Sequence, residues 1–129
     1  MTQEKKQLVI KDLCARVSYG VIVHRYSDNC YSDNCDISID NVDDFVYFLE
    51  YSEGEEFKPY LRPMGSMTEE EKEDYVSLSN HCVNTSVGFA YLEAQVLVEW
   101  LNFHHFDYRG LIEKELALVA PEGMYKENV

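Results

Sequence analysis

Residues 90–104 are the stretch of this chain that most restricts what it can fold into. If they form a helix, Gln95, Glu99 and Asn102 lie on one narrow polar stripe, and Glu93 lies outside it. Apart from Glu93, the other faces are apolar and carry Leu92, Ala94, Val96, Leu97, Val98, Trp100, Leu101 and Phe103. A helix that is apolar round most of its circumference is normally buried. We therefore predict a central helix near residues 90–104, with the other elements packed around it.

Three further helices are predicted from apolar residues at helical spacing and from capping residues. The strongest local signal is a capping box, in which Thr68 and Glu71 satisfy each other's backbone N–H groups. Thr2 and Asp107 are suited to cap two other helices, and Gly20 suits the left-handed conformation that ends a helix. The predicted helices cover residues 3–17, 69–79 and 108–115.

The segments between these helices have short β-branched or alternating patterns that are typical of strands. Two prolines make residues 57–64 extended, because proline cannot continue a helix or a central strand. The length of 129 residues fits one domain, residues 1–129. We predict an α+β fold with a small antiparallel sheet of three to four strands packed against about four helices. The predicted strands are residues 21–26, 36–39, 45–51 and 116–119.

A tandem repeat of five residues interrupts this pattern. The sequence Tyr-Ser-Asp-Asn-Cys occupies residues 26–30 and again residues 31–35. A period of five is too short for a solenoid unit, and Ser, Asp and Asn favour turns. We therefore predict an exposed loop over residues 26–36. The last residues, 121–129, are predicted to be a flexible tail.

The charge of the chain is strongly acidic and unevenly distributed. There are 11 basic and 24 acidic residues, which give a formal charge of −13. Phosphate neutralisation supplies much of the affinity of nucleic-acid binders, so direct binding to nucleic acid or to an anionic membrane is not expected. Ten acidic residues and no Lys or Arg lie between residues 26 and 56. Such a stretch either keeps the protein soluble or attracts a basic protein partner.

Tyrosines are interleaved with these acids, and tyrosine offers contact area with little loss of side-chain entropy. On the predicted strand over residues 45–51, Tyr47 and Tyr51 face the same way. One alternative is a sheet with a solvated face and no partner, and another is a Tyr-rich sheet that assembles into a homo-oligomer. The predicted partner-binding residues are Asp36, Asp40, Asp43, Asp44, Tyr47 and Tyr51.

Residues 104–109 hold the densest group of chemically active side chains. A histidine paired with a carboxylate can act as a general base, and an arginine can hold an anion through two hydrogen bonds. The alternative is structural, with a histidine at a helix C-terminus and an aspartate as a cap. No nucleophile accompanies the group, so an enzyme is the less favoured hypothesis. The candidates for catalysis or ligand binding are His104, His105, Asp107 and Arg109.

Neither a metal nor a cofactor is predicted. The cysteines have no C-x-x-C spacing, and together with the histidines they match no standard zinc pattern. The N-terminal residues lack the apolar stretch of a signal peptide, and no apolar run reaches the ~20 residues needed to span a bilayer. We therefore expect a cytoplasmic protein with reduced thiols. The residues considered as metal ligands are His24, Cys30, Cys35, His81 and Cys82.

Five segments of the chain form a recognisable pattern: KDLCAR (11–16), YGV (19–21), KPYLRPM (58–64), SMTEEE (66–71) and WLNFHHFDYRGLIEK (100–114). They resemble small proteins of unknown function that are encoded in phages, prophages and mobile elements of gut Bacteroides and their relatives. In that pattern, Gly often stands where this chain has Glu115. The resemblance implies an accessory protein that acts inside a bacterial cell, and it supplies no activity, cofactor or catalytic residue. The leading hypothesis is a non-enzymatic protein that binds a basic host or phage protein through its acidic, Tyr-rich region.

Overall fold

The structure is a computed structural model that describes residues 2–26, 32–51, 57–84 and 87–125. These residues form four helices and four strands, so the predicted α+β class is confirmed. The helices are α1 (Gln3–Arg16), α2 (Val42–Tyr51), α3 (Glu69–Asn84) and α4 (Val87–Phe103). The strands are β1 (Ile22–Tyr26), β2 (Ser32–Asp36), β3 (Phe57–Leu61) and β4 (Leu118–Val119).

The four strands form one sheet in the order β2-β1-β3-β4. β1 is antiparallel to both β2 and β3, whereas β3 and β4 run parallel. The sheet is therefore antiparallel over three strands, as predicted, and mixed as a whole, because β4 runs parallel to β3. The physical reason is the long connection that contains α3 and α4, because such a crossover returns the chain in its original direction.

Helices α1 and α3 begin where their capping residues predict. Thr2 accepts a hydrogen bond from the backbone N–H of Lys5 at 3.2 Å. Thr68 and Glu71 form the reciprocal capping box, with hydrogen bonds of 3.2 and 2.9 Å. A short 3-10 turn follows α1 and ends at Gly20, which has the predicted left-handed conformation. These boundaries follow from side chains within three residues of the backbone that they cap.

Residues 45–51 form most of helix α2, so their prediction as a strand is wrong. Their apolar side chains also fit a helical period, and Phe45 and Leu49, one turn apart, are both buried in the core. Asp43 and Asp44 lie in the first turn, where the helix dipole favours negative charge. The apolar pattern of residues 45–51 therefore fits a helix with one buried face as well as it fits a strand.

The predicted loop over residues 26–36 is wrong for its second half, because residues 32–36 form β2. Its residues 27–31 lie outside the described ranges. The predicted tail is wrong for Tyr125, whose hydroxyl bonds to the backbone of Ile22 and Tyr60, while residues 126–129 are not described. The predicted helix over residues 108–115 is also wrong, because the chain forms turns there and Glu115 takes a left-handed conformation with φ 62°.

The main core lies between α1, α2 and the sheet, and none of its described members comes from α4. A helix over residues 90–104 is confirmed, but its predicted central position is wrong, because Val96 and Val98 are 47% and 39% exposed. Helix α4 packs along α3 and contributes Leu101 to a smaller cluster with Met67 and Phe106. The buried residues of the main core are Val9, Leu13, Val21, Val23, Ile37, Phe45, Leu49, Leu61, Leu111, Leu116 and Ala117.

Candidate functional site

The two histidines after helix α4 have separate surroundings. His104 lies 3.4 Å from the carboxylate of Glu71 through its Nδ1, and its ring lies 4.6 Å from that of Trp100. His105 has a left-handed backbone, with φ 63°, and its ring stacks on Tyr125 at 3.6 Å. The contacts of His104 and His105 are therefore with different residues, Glu71 and Trp100 for the first and Tyr125 for the second.

Burial lowers the pKa of His105 to about 4, and electrostatic interactions with Arg16, His104 and Arg62 lower it further, in that order of effect. The ring is therefore neutral at pH 7. Burial raises the pKa of its stacking partner, Tyr125, so the hydroxyl remains protonated and can donate a hydrogen bond. This pair fixes the C-terminal segment on the sheet.

Asp107 and Arg109 serve the local structure. The two carboxylate oxygens of Asp107 accept hydrogen bonds from the backbone N–H groups of Leu111 and Ile112 at 2.8 and 2.9 Å. Arg109 donates to Asp12 of α1 at 2.8 Å, and its guanidinium lies over the ring of Tyr108. Each of the four catalytic candidates thus contacts a different group, and the structure does not bring them together on one substrate position.

A buried ionic network joins helix α1 to this segment. Asp12 and Arg16 are both fully buried, and they form a hydrogen bond of 2.9 Å between carboxylate and Nε. Arg16 also donates to the backbone carbonyl of Phe106 at 2.6 Å. With Arg109 on its second oxygen, Asp12 lies between two guanidinium groups. The network holds residues 106–109 against α1, which is a structural use of charge.

A cleft of about 480 Å³ lies between the β3–α3 connection and the C-terminal segment. Its charged side chains Arg62 and Glu71 form a bidentate ion pair with distances of 2.8 and 2.7 Å. The volume suits a small ligand. None of the four catalytic candidates is among the described residues that line it. Two of the candidates contact residues that line the cleft, His104 through Glu71 at 3.4 Å and His105 through the ring of Tyr125.

The predicted partner-binding acids gather where β2 ends and α2 begins. Asp36 is exposed at the end of β2, Asp40 in the turn that follows, and Asp43 and Asp44 in the first turn of α2. The side chain of Asn41 closes this turn by donating to the carbonyl of Asp36 at 2.8 Å. Because the turn is folded back on itself, acids that are spread along the sequence occupy one part of the surface.

Two large apolar side chains are exposed among these acids. Ile39 is 80% exposed and Tyr47 is 62% exposed. On α2, Tyr47 lies one turn after Asp43 and opposite the buried Phe45 and Leu49, because 3.6 residues make one turn. Tyr51 ends the helix, and its side chain lies outside the description. We name the surface formed by Asp36, Ile39, Asp40, Asp43, Asp44 and Tyr47 the acidic face.

Sequence reasoning missed Ile39 and Asn41 as members of this region. Ile39 was assigned to a strand, and only its position in a turn exposes it. A signal was present, because Ser38 and Asn41 are turn formers that precede two acids at the start of an apolar period. In the structure the backbone N–H of Ser38 donates to the side chain of Asn41 at 2.8 Å. Recognising that pattern would have predicted the start of α2.

In the described ranges, no three His, Cys, Asp or Glu side chains are arranged as a metal site. Of the residues considered as metal ligands, His24 bonds to the side chain of Asn34 at 2.9 Å. No helix in the described part of the chain is long and apolar enough to cross a membrane. No protein-family model, curated protein or solved structure matches this chain.

Proposed function

We propose that this protein is a non-enzymatic binding module that attaches to a basic protein through the acidic face. The observation that carries the proposal is the exposure of Ile39 and Tyr47, at 80% and 62%, among Asp40, Asp43 and Asp44. Protein interfaces place aromatic and aliphatic anchors within a polar rim. The acidic face has this composition, and a solvated face that serves solubility alone has no need of the two apolar side chains.

The charge distribution favours a basic partner. The stretch of residues 26–56, which contains the acidic face, has ten acids and no Lys or Arg. Complementary charge accelerates encounter and aligns two proteins, whereas the buried anchors supply most of the affinity. We therefore expect association that weakens with salt and that depends strongly on Tyr47.

The setting of this binding follows from the resemblance to proteins of Bacteroides phages and mobile elements. In that setting the protein acts in the cytoplasm as an accessory factor, and its partner is a basic host or phage protein. Nucleic acid is an unfavourable partner for the acidic face, because phosphate and carboxylate groups repel each other. The separate structural contacts of His104, His105, Asp107 and Arg109 support a binding role over an enzymatic one.

Affinity capture from a Bacteroides lysate with the tagged protein, followed by calorimetry with the purified partner, tests the proposal. The test variant carries Asp36→Asn, Asp40→Asn, Asp43→Asn and Asp44→Asn. A matched control removes the same number of charges from exposed acids of α3, with Glu69→Gln, Glu70→Gln, Glu73→Gln and Asp74→Asn. Both variants neutralise two acids in a first helical turn, so their effects on helix stability are comparable.

We expect a basic protein that is captured by the wild type and the control but not by the test variant. Tyr47→Ala is expected to weaken its binding at least tenfold, which corresponds to about 1.4 kcal/mol. Equal capture by all variants would refute a role for the acidic face. Loss of capture by both charge variants would show a general charge effect and would likewise refute the proposed site.

A further inference from the structure

Among the residues that the structure describes, strand β2 is paired along one edge only. It is the first strand in the order β2-β1-β3-β4, and it pairs with β1 alone. Residues 2–26, 32–51, 57–84 and 87–125 contain no strand that pairs with its other side. An unpaired edge presents backbone N–H and C=O groups to any extended segment of another chain.

The pairing register identifies which backbone groups face outward. The N–H of Ile37 donates to the carbonyl of Val21 at 2.8 Å, so these two residues are a hydrogen-bonded pair. Antiparallel pairs alternate, and therefore the residues of β2 that bond to β1 are Asp33 and Cys35. The backbone groups of the intervening residues, Ser32, Asn34 and Asp36, point away from β1.

One contact independently supports this orientation. The side chain of Asn41 donates to the carbonyl of Asp36 at 2.8 Å, which requires that carbonyl to point away from β1. Asn41 therefore closes the edge at its end next to the acidic face. The groups that no described residue covers are the N–H and C=O groups of Ser32 and Asn34 together with the N–H of Asp36, enough for a short added strand.

The charge around this edge selects the occupant. Asp36 and Asp40 adjoin it, residues 26–56 contain no Lys or Arg, and the one Lys or Arg in strands β1 and β2 is Arg25, opposite Asp33. A second copy of this chain, paired edge to edge, would bring two such acidic stretches together. A segment with Lys or Arg would instead gain favourable charge interactions. Residues of that segment opposite Asn34 would share its exposed face, whereas their neighbours would lie beside Cys35 and Ile37 on the buried face.

We propose that the unpaired edge of β2 binds an extended segment of the basic partner, with alternating basic and apolar residues, as an added fifth strand of the sheet. This inference rests on the proposed function and adds a backbone contact to it. The acidic face attracts the segment, and the edge aligns it through hydrogen bonds that do not depend on side-chain identity.

The decisive comparison is Asn34→Pro against Asn34→Ala. Both variants lose the side-chain hydrogen bond to His24, but only proline removes the outward N–H and fills the edge with its ring. The β1–β2 hydrogen bonds use Asp33 and Cys35, so proline at position 34 leaves them in place, as tolerated on edge strands. The probe is a Lys-Val-Lys-Val-Lys peptide with blocked ends, titrated to millimolar concentration into ¹⁵N-labelled protein.

We expect the peptide to shift and protect from exchange the amides of Ser32, Asn34 and Asp36 in the wild type. Asn34→Pro is expected to weaken binding at least tenfold relative to Asn34→Ala. A peptide with N-methyl groups on alternate amides is expected to lose binding to the unmodified protein, a measurement that does not depend on the folding of any variant.

Equal binding by the proline and alanine variants, or by the methylated peptide, would overturn the inference. If binding were equal in this way, but the variant with four Asp→Asn changes in the acidic face did not bind the peptide, the proposed function would stand and only the edge contact would be refuted. Absence of amide shifts at Ser32, Asn34 and Asp36 would also overturn the inference. So would a concentration-dependent dimer in sedimentation that Asn34→Pro abolishes, because the occupant would then be a second copy.

Discussion

Asp12 is the single residue whose loss should most damage the fold. Its carboxylate is fully buried and accepts hydrogen bonds from Arg16 at 2.9 Å and from Arg109 at 2.8 Å. Asp12→Asn preserves the volume of the side chain, so the expected loss of stability includes no contribution from a cavity. It removes the negative charge and turns an amide NH₂ toward one of two guanidinium donors.

The expected loss follows from what the substitution leaves behind. With Asn at position 12, the fully buried Arg16 has only neutral acceptors among the described residues, such as the carbonyl of Phe106 at 2.6 Å. Breaking a buried ion pair by removing one partner costs about 3–5 kcal/mol, because the remaining charge is uncompensated. A domain of 129 residues has a total stability of roughly 6–19 kcal/mol. The variant should therefore lose a large share of its stability.

Urea denaturation followed by circular dichroism measures this loss, with the midpoint and the slope fitted separately. Glu113→Gln is the control, because Glu113 is exposed and its neutralisation should change stability by no more than about 0.5 kcal/mol. Arg109→Gln, which alters the partly exposed end of the network, should cost less than Asp12→Asn. A loss below about 1 kcal/mol for Asp12→Asn would refute the assignment of the network as a main support of the fold.

Three further substitutions test other parts of the structure. Tyr125→Phe removes the hydroxyl that bridges Ile22 and Tyr60, at 2.9 and 2.6 Å, and should lower the unfolding free energy by about 1–3 kcal/mol; an unchanged urea midpoint would contradict this bridge. His105 has a folded pKa of about 4, below the unfolded value, so wild-type stability should fall by roughly 3 kcal/mol as the pH drops from about 6.5 to 4. His105→Asn, which tolerates the left-handed backbone, should flatten that part of the pH profile, and a parallel profile would contradict the assignment. Glu115→Gly should raise stability by about 1 kcal/mol, because Glu115 has φ 62°, whereas Glu115→Ala should not; equal effects in thermal denaturation would rule out backbone strain as the cause.

The sequence alone determined the elements whose signals are local. Helices α1 and α3 begin at Thr2 and Thr68 because each cap bonds to a backbone N–H three residues away. The α+β class followed from the presence of both kinds of pattern. The acidity near α2 was also readable, since charge does not depend on conformation. In each case, the residues that interact are close together in the chain.

Tertiary structure decided the features that depend on distant partners. The apolar residues of α2 fitted the spacing of both a strand and a helix. Burial of Phe45 and Leu49 in the core favours the helix. The apolar surface of α4 predicted burial, but the extent of burial depends on which elements are available to cover it, and α3 covers only part of it. The direction of β4 followed from the length of the α3–α4 crossover.

The candidate site divides in the same way. The acids of the acidic face were predictable, whereas the exposure of Ile39 was not, because it results from a turn that Asn41 closes. The roles of Arg109 and His105 depend on Asp12 and Tyr125, which are far from them in sequence. The types of the residues and their spacing in the sequence indicate which chemistry they can perform. Its partner in the folded chain decides whether that chemistry is free for function or already used to hold the structure together.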